Sequence, residues 1–298
     1  MAERAAAAHV AAGRTVGAAL AAAAERLRAG GVPAPRREAE ELYAALVCGP
    51  TSRAWLDREQ PLSDALEARL AEAVRRRIAG VPQAYAAGRA NFRGHWLAVD
   101  GRVLIPRPET EGLVQLVIDW AGDRVPVVAD IGTGSGAIAI SLALEAPVAG
   151  VIATDVSAEA LALAQTNAAT TGARDRISFR RGDLCAPLLG DVVDALVSNP
   201  PYVATPEWEG LDPAVKDHEP RLALDGGADG LAVIRRLVEA APGSLAPGGL
   251  VALETDARRA EATAAMVAEA GFERVEVRED LFGRPRYVTA RQAGSWGH

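Results

Sequence analysis

The sequence predicts an α/β chain: a mostly parallel sheet of seven strands, preceded by a small all-helical N-terminal domain and a β-hairpin linker. Three observations predict it. From residue 125 onward, short β-branched runs alternate with helix-like segments, the pattern of βαβ units around a parallel sheet. Residues ~14–88 carry apolar residues at helical spacing instead. Between the two, "HWLAVDGRVLI" alternates around Asp100-Gly101, a hairpin turn signal. The expected boundaries are 1–87 for the helical domain, 88–108 for the linker and 109–298 for the α/β domain.

In the helical part, "REAEELYAALV" puts Ala39, Leu42, Tyr43, Leu46 and Val47 on one stripe. "SDALEARLAEAVRRRIAG" opens with Asp64 and Glu67 spaced as a capping box and runs to Gly80, with Pro82 just beyond. Its Arg75, Arg76 and Arg77 fan around the helix rather than forming one patch. "PRPETEGLVQLVIDWA" starts a helix whose prolines restrict its entry. Strands are expected at "VPVVADIG", "GVIATDV", "ISFRRGD", "VVDALVSN", "GGLVALET", "RVEVRED" and "PRYVTARQ". No helix separates the last two, so they are expected to form an antiparallel hairpin at one edge.

Composition narrows the function classes. A chain of 298 residues, 49% hydrophobic and 24% charged, suits a soluble protein of about two domains. Two cysteines, Cys48 and Cys185, give neither a disulfide framework nor a metal spacing, and the four histidines (His9, His95, His218, His298) form no ligand pair, so no metal is expected. No apolar run suits a membrane span. The alanine-rich start is broken by Glu3, Arg4, His9 and Arg14 and makes a poor signal peptide, so a cytoplasmic location is expected. The net charge is −7 and uneven: residues 1–105 hold 15 basic and 11 acidic residues, the remainder 17 and 28. The acidic remainder argues against a nucleic-acid groove there. The basic part suits either an acidic partner or plain solvation.

Two loops carry chemistry. In "VVADIGTGSGAIAISLA", Gly132, Gly134 and Gly136 let a strand-to-helix turn approach a ligand closely, with Thr133 and Ser135 between them. Asp155 ends the next strand, where a carboxylate can grip ribose hydroxyls. Both features suit NAD as well as S-adenosyl-L-methionine. Asp130 tips the balance: a carboxylate here repels a pyrophosphate and welcomes the cationic methionine end of S-adenosylmethionine. The second loop is "SNPPYV". Asn199 follows the fourth strand, which neighbours the first in such a sheet, so it is expected to face the cofactor. Methyl transfer to a planar –NH₂ needs its two N–H bonds held by acceptors. The Asn199 side-chain oxygen and the Pro200 carbonyl supply them, favouring the pyramidalising nitrogen of the transition state. Pro200 and Pro201 fix φ and pre-place both acceptors, and Tyr202 offers a flat packing face. Hydride transfer gives this loop no role.

Taken with "GVPAPRREAEELYAALV", "RRRIAGVPQAYAAGRANFRGHWLAVDGRVLIPRPETEGLV" and "HEPRLALDGGADGLAVIRRL", these loops make nearly the whole chain resemble the HemK/PrmC-type protein-(glutamine-N5) methyltransferases. "LIPRPETE" is more specific than "NPPY", which amino-methyltransferases of DNA and RNA share. The resemblance implies a class I S-adenosylmethionine-dependent methyltransferase fold, Rossmann-like, with a helical substrate-docking domain. It implies methylation of the Gly-Gly-Gln glutamine of peptide chain release factors by a cytoplasmic monomer, with no direct nucleic-acid contact and no membrane. The alternatives are an adenine N6 or guanine N2 methyltransferase, or a paralogue methylating glutamine in another protein. The resemblance places Gly132 to Gly136, Asp155 with Val156, Asp183, Leu184 and Asn199 on the cofactor, and Asn199 to Tyr202 on the substrate glutamine. It places Arg107 and Glu109 at the mouth of the site, and has Glu219, with Pro220, support the Asn-Pro-Pro-Tyr loop. The chain departs from the family at Leu184-Cys185, where an aromatic is common, at His218, where a tyrosine is common, and in "LETDARRAEAT", which lacks the usual Gly and Gln.

Overall fold

The computed structural model describes residues 14–294, so the alanine-rich start with Glu3, Arg4 and His9 lies outside the described residues, as does His298. The chain divides into two compact units, residues 1–89 and 90–298.

The first unit is helical: α1 (Val16–Ala29), α2 (Pro35–Leu46), α3 (Arg53–Leu56), α4 (Asp64–Ile78) and α5 (Gln83–Ala87). The predicted stripe of α2 is its buried face, with Val47 half-buried just past its end. Leu27, Leu42 and Val74, one each from α1, α2 and α4, are fully buried where these helices pack together. The cap of α4 differs from expectation. Ser63 is the N-cap and accepts from the Leu66 amide at 3.3 Å, while Asp64 and Glu67 sit in the first turn beside the positive end of the helix dipole.

The second unit carries a two-stranded sheet, β1 (Arg89–Phe92) with β2 (His95–Ala98), followed by α6 (Pro108–Ala121). The hairpin turn is Arg93-Gly94, not the predicted Asp100-Gly101. Both turn residues have positive φ, 49° and 81°, the twist that two-residue hairpins require. Arg93 is held there by its amide on Glu111 Oε1 at 3.0 Å and its guanidinium on Glu145 and the Glu111 carbonyl. Asp100 instead folds a turn on itself, its carboxylate accepting from the Arg102 amide at 3.1 Å. The alternation around Asp100 is real, but its strand pairs backward with "RANF".

The main sheet contains β3 (Val127–Ile131), β4 (Gly150–Asp155), β5 (Ile177–Arg181), β6 (Val193–Ser198), β7 (Leu245–Glu254), β8 (Glu273–Glu279) and β9 (Pro285–Arg291), in the order β5-β4-β3-β6-β7-β9-β8. All seven expected strands form. β9 runs antiparallel to both β7 and β8, which makes the expected hairpin at the edge. The interposed helices are α7 (Ala137–Glu145), α8 (Ala158–Thr171), α9 (Pro213–Lys216), α10 (Ala232–Ala240) and α11 (Ala260–Glu269).

This is a three-layer core. Leu113, Val114 and Val117 of α6 and Ile138, Ile140 and Leu142 of α7 pack with Val128, Ala195 and Ala252. Ile234, Leu237 and Val238 of α10 and Val267 of α11 pack with Ala129, Leu196 and Val251. Consecutive sheet residues thus face different layers, and each fully buried Leu or Ile contributes roughly 1.5–3 kcal/mol. Burial on both faces explains why these strands read as near-continuous apolar runs. β3 pairs in parallel with β4 on one side and β6 on the other, and strand order reverses there. That is where an open α/β sheet places its ligand.

Candidate active site

A cavity of about 440 Å³ lies beyond the carboxyl ends of β3, β4 and β6. That volume suits a ligand of cofactor size. Ile131 pairs with Thr154 and with Ser198, so the three strands end level. The Ser198 hydroxyl donates to the Ile131 carbonyl at 2.7 Å, tying the start of one loop to the start of the other.

The glycine loop leaves β3 and enters α7. Gly132 and Thr133 both donate to the Thr154 carbonyl at 2.9 Å. Gly132, Gly134 and Gly136 have φ of 75°, 55° and 84°, and the space a Cβ would take at Gly132 and Gly134 is open. Asp155 holds the loop from β4: one carboxylate oxygen accepts from the Gly134 amide at 2.9 Å and the other from the Ser157 amide at 2.8 Å. Burial raises the Asp155 pKa, while those amide bonds oppose the rise. Each oxygen keeps acceptor capacity for a vicinal diol.

Of the sequence-predicted residues, the cavity wall brings together Arg107, Gly132, Thr133, Gly134, Ser135, Asp155, Val156, Asp183, Leu184, Asn199, Pro200 and Pro201. Asp183 is exposed and pairs with Arg236 across the wall. Leu184 adopts a left-handed backbone, φ 48°, with its carbonyl on the Thr154 hydroxyl. Cys185 beside it is buried, which pushes its thiol up to about 11 and keeps it protonated and inert.

Five predicted residues do not line the cavity. Gly136 caps α7. The Tyr202 side chain packs against the core formed with α10 and α11 rather than offering a face to the cavity. Glu109 lies in the first turn of α6, half-buried, with its carbonyl accepting from the Tyr287 hydroxyl. Glu219 is buried and differs from expectation in its partners: its two oxygens take the Ile105 amide at 3.1 Å and the Arg107 guanidinium. It locks the segment before α6, not the Asn-Pro-Pro-Tyr loop. That loop is supported from 203–230 instead, by Val203 and Gly226 backbone bonds to Leu224 and Val203 at 2.9 and 2.8 Å.

Asp130 is the fifth. It lies under the glycine loop, fully buried, with Oδ2 accepting from the Thr133 hydroxyl at 2.6 Å and the Ala139 amide at 3.2 Å. Its Oδ1 has no hydrogen-bond partner among the described residues. Burial outweighs those bonds and pushes its pKa from 3.8 up to about 7. The folded chain therefore holds a proton that the unfolded chain has already released. Its contribution to stability is fully present below pH 3.8 and is lost as pH rises to about 7. Asp130→Asn is expected to gain stability relative to the parent across that window, by ~1.4 kcal/mol for each pH unit crossed. Thermal melts from pH ~4 to ~8 check it; a constant difference between the two proteins refutes the assignment.

Asn199 projects from the end of β6. Its side-chain nitrogen donates to the Thr110 hydroxyl at 3.1 Å, leaving the carbonyl end as the acceptor for a ligand. The next carbonyl, on Pro200, belongs to a residue whose φ is fixed. Sequence reasoning missed three polar residues around this site. Thr110 is 5% exposed and Glu254 is 1% exposed. Asn167, also buried, joins the hairpin to the glycine loop, donating to the Ala98 and Ser135 carbonyls at 3.0 and 2.9 Å. Glu254 does carry a signal: like Asp130 and Asp155, it is a carboxylate closing an otherwise apolar strand.

Among the described residues no group of His, Cys, Asp and Glu could hold a metal ion, and no helix is long and apolar enough to cross a membrane. Residues 114–210 match the methyltransferase small domain, and residues 18–88 match the PrmC N-terminal domain. A release factor glutamine methyltransferase of Moorella thermoacetica is 45% identical over 275 residues, covering 91% of this chain and 96% of the relative. The chain belongs to the release factor glutamine methyltransferase family. Relatives with the same name from Deinococcus radiodurans and Bordetella pertussis are 44% and 46% identical, over 90% and 85% of this chain and 95% and 93% of theirs. Among solved structures, the hMettl16 catalytic domain in complex with the MAT2A 3'UTR hairpin 6 is 17% identical with a TM-score of 0.56, covering 78% of this chain and 83% of its own, and shares the fold alone. The class I methyltransferase fold and the family are thus those the motifs implied.

The cavity fits the family's cofactor. Open space above a left-handed glycine loop admits a close-lying chain, and a diol-competent carboxylate sits at the end of β4.

Proposed function

We propose that this enzyme transfers a methyl group from S-adenosyl-L-methionine to the side-chain amide nitrogen (N5) of the glutamine in the Gly-Gly-Gln motif of peptide chain release factors. The observation that carries the reading is the near full-length family identity, joined to an Asn199-Pro200 corner in the same cavity wall as the glycine loop. Gly132 to Ser135 and Asp155 would hold the methionine and ribose portions, with Val156, Asp183 and Leu184 around the base.

When bound, S-adenosylmethionine supplies an electrophilic methyl on a sulfonium. The chain's own task is to aim the nucleophile. A glutamine amide nitrogen is poorly nucleophilic because its lone pair is delocalised into the carbonyl. The Asn199 Oδ1 and the Pro200 carbonyl accept its two N–H bonds and turn the emerging lone pair toward the methyl. As the nitrogen pyramidalises and becomes positive, both bonds strengthen, so they stabilise the transition state more than the ground state. The methylated nitrogen then releases one proton to solvent, and no side-chain base is needed before transfer.

The enzyme is proposed to act as a monomer. The acid-rich composition after residue 105 gives a nucleic acid little to bind, and disfavours a base as the acceptor. A cytoplasmic location follows from a substrate that works on the ribosome. The test is incubation of a release factor and S-adenosylmethionine with the enzyme, followed by mass spectrometry of the Gly-Gly-Gln peptide. A gain of one methyl at the glutamine is expected. Cofactor-bound enzyme that leaves the peptide unmodified overturns the reading.

A further inference from the structure

The Asn199 clamp is only as good as the orientation of its amide. The two orientations are nearly isosteric, yet they present opposite chemistry. One turns the oxygen to the substrate N–H bonds; the other turns an –NH₂ against them. Asn199 Nδ2 lies 3.1 Å from Thr110 Oγ1 at the cavity wall. Glu254, the last residue of β7, lies behind the wall and 1% exposed; burial pushes its carboxyl up, and the Thr110 hydroxyl is the neighbouring donor that opposes the rise. Glu254 Oε2 has no hydrogen-bond partner among the described residues, so this carboxylate has acceptor capacity to spare. An ionised carboxylate can only accept, and a threonine hydroxyl has one proton to give. Once that proton goes to Glu254, Thr110 offers Asn199 only lone pairs. Asn199 must then meet it with the –NH₂ end.

We propose that Glu254, acting through Thr110, is the positioning device that fixes the Asn199 amide with its oxygen toward the substrate nitrogen. The proposal rests on the methyl-transfer reading above. Burial is what chiefly opposes ionisation of Glu254, and Glu109 adds to it, whereas Thr110, Arg286 and Arg107 favour the ionised form; the Tyr202 and Tyr287 hydroxyls feel the same carboxylate. The balance holds Glu254 at about 7, so a working pH of ~8.5 keeps it an acceptor. Thr110 belongs to the "LIPRPETE" segment, which gives that segment a task at the clamp besides shaping the mouth.

The experiment compares Thr110→Val, Thr110→Ser and Glu254→Gln with the parent at pH ~8.5. It reads kcat and KM for the release factor, cofactor Kd by calorimetry, and the Asn199 side-chain amide resonances of the free protein. Thr110→Val is expected to lower kcat about 10²-fold, the scale of a misaimed catalytic group, with KM and cofactor Kd within about threefold. Thr110→Ser is expected to restore kcat to within about threefold of the parent, and Glu254→Gln to lower it about tenfold. The Asn199 amide resonances are expected to shift in Thr110→Val and Glu254→Gln but not in Thr110→Ser. If Thr110→Val does not fold, the other two variants decide. Glu254→Gln with parental kcat and unmoved Asn199 resonances overturns the proposal. So does an equal loss in kcat, KM and cofactor Kd, which is the mark of a merely structural role. The resonances are read without substrate, so they test the relay even if the parent fails to methylate a release factor.

Discussion

Asn199→Ala is expected to lower turnover by ~10²–10³, about 3–4 kcal/mol of transition-state stabilisation, the scale for one lost preorganised hydrogen-bonding group. Its nitrogen is already committed to Thr110, so truncation removes the one side-chain oxygen aimed at the substrate amide. The Pro200 carbonyl survives, because its position comes from the ring and from the chain after it. One of two acceptors remains, and transfer is slowed rather than abolished. Cofactor affinity should fall much less, since the glycine loop and Asp155 are built on β3 and β4 and their bonds do not pass through Asn199. The check is kcat under saturating release factor beside cofactor Kd by calorimetry. Equal losses in both would make Asn199 chiefly a cofactor ligand and remove the clamp from the mechanism.

The sequence made much of this legible because parallel sheets advertise themselves. Apolar runs closed by Asp130, Asp155 and Asn199 mark strand ends at one edge of the sheet, and all three residues stand there. What it could not show was which way each side chain turns. Asp130 and Tyr202 sit beside cavity residues in sequence, yet one lies under the loop and the other packs into the core. Glu219 reads as a support for the Asn-Pro-Pro-Tyr loop, but its carboxylate reaches Ile105 and Arg107, more than a hundred residues upstream. Local pattern carries no information on pairings of that sequence separation. The hairpin turn differs from expectation for a related reason: Arg93 takes a strained φ only because Glu111 and Glu145, distant in sequence, hold it. Thr110 is hidden likewise, an ordinary polar residue until the fold puts it beside Asn199.

Gly226→Ala is expected to be the other damaging change, although residue 226 touches no ligand. A Cβ there would stand 2.6 Å from the Gly230 carbonyl oxygen and 2.7 Å from the Pro201 carbonyl oxygen. Both are backbone atoms, so no rotamer change can relieve the overlap. No positive φ is involved, and the cost is purely one of space. Overpacking of this kind costs roughly 1–3 kcal/mol, a fall in Tm of about 2–4 °C per kcal/mol for a domain of this size. The catalytic cost should be larger. Gly226 donates to the Val203 carbonyl at 2.8 Å, and Val203 in turn donates to the Leu224 carbonyl, so this strip holds the Asn-Pro-Pro-Tyr loop from below. A push on Pro201 moves the ring that follows the clamp's second acceptor, and a displacement near 1 Å costs about 10²-fold in rate. Gly243→Ala is the control, since no heavy atom lies within 4 Å of its Cβ position. Melting curves and kcat for the two variants check the expectation. Parental turnover in a destabilised Gly226→Ala would mean that the loop re-seats itself, and that the rigidity of the two prolines alone, without the glycine strip beneath them, is enough to keep both acceptors in line.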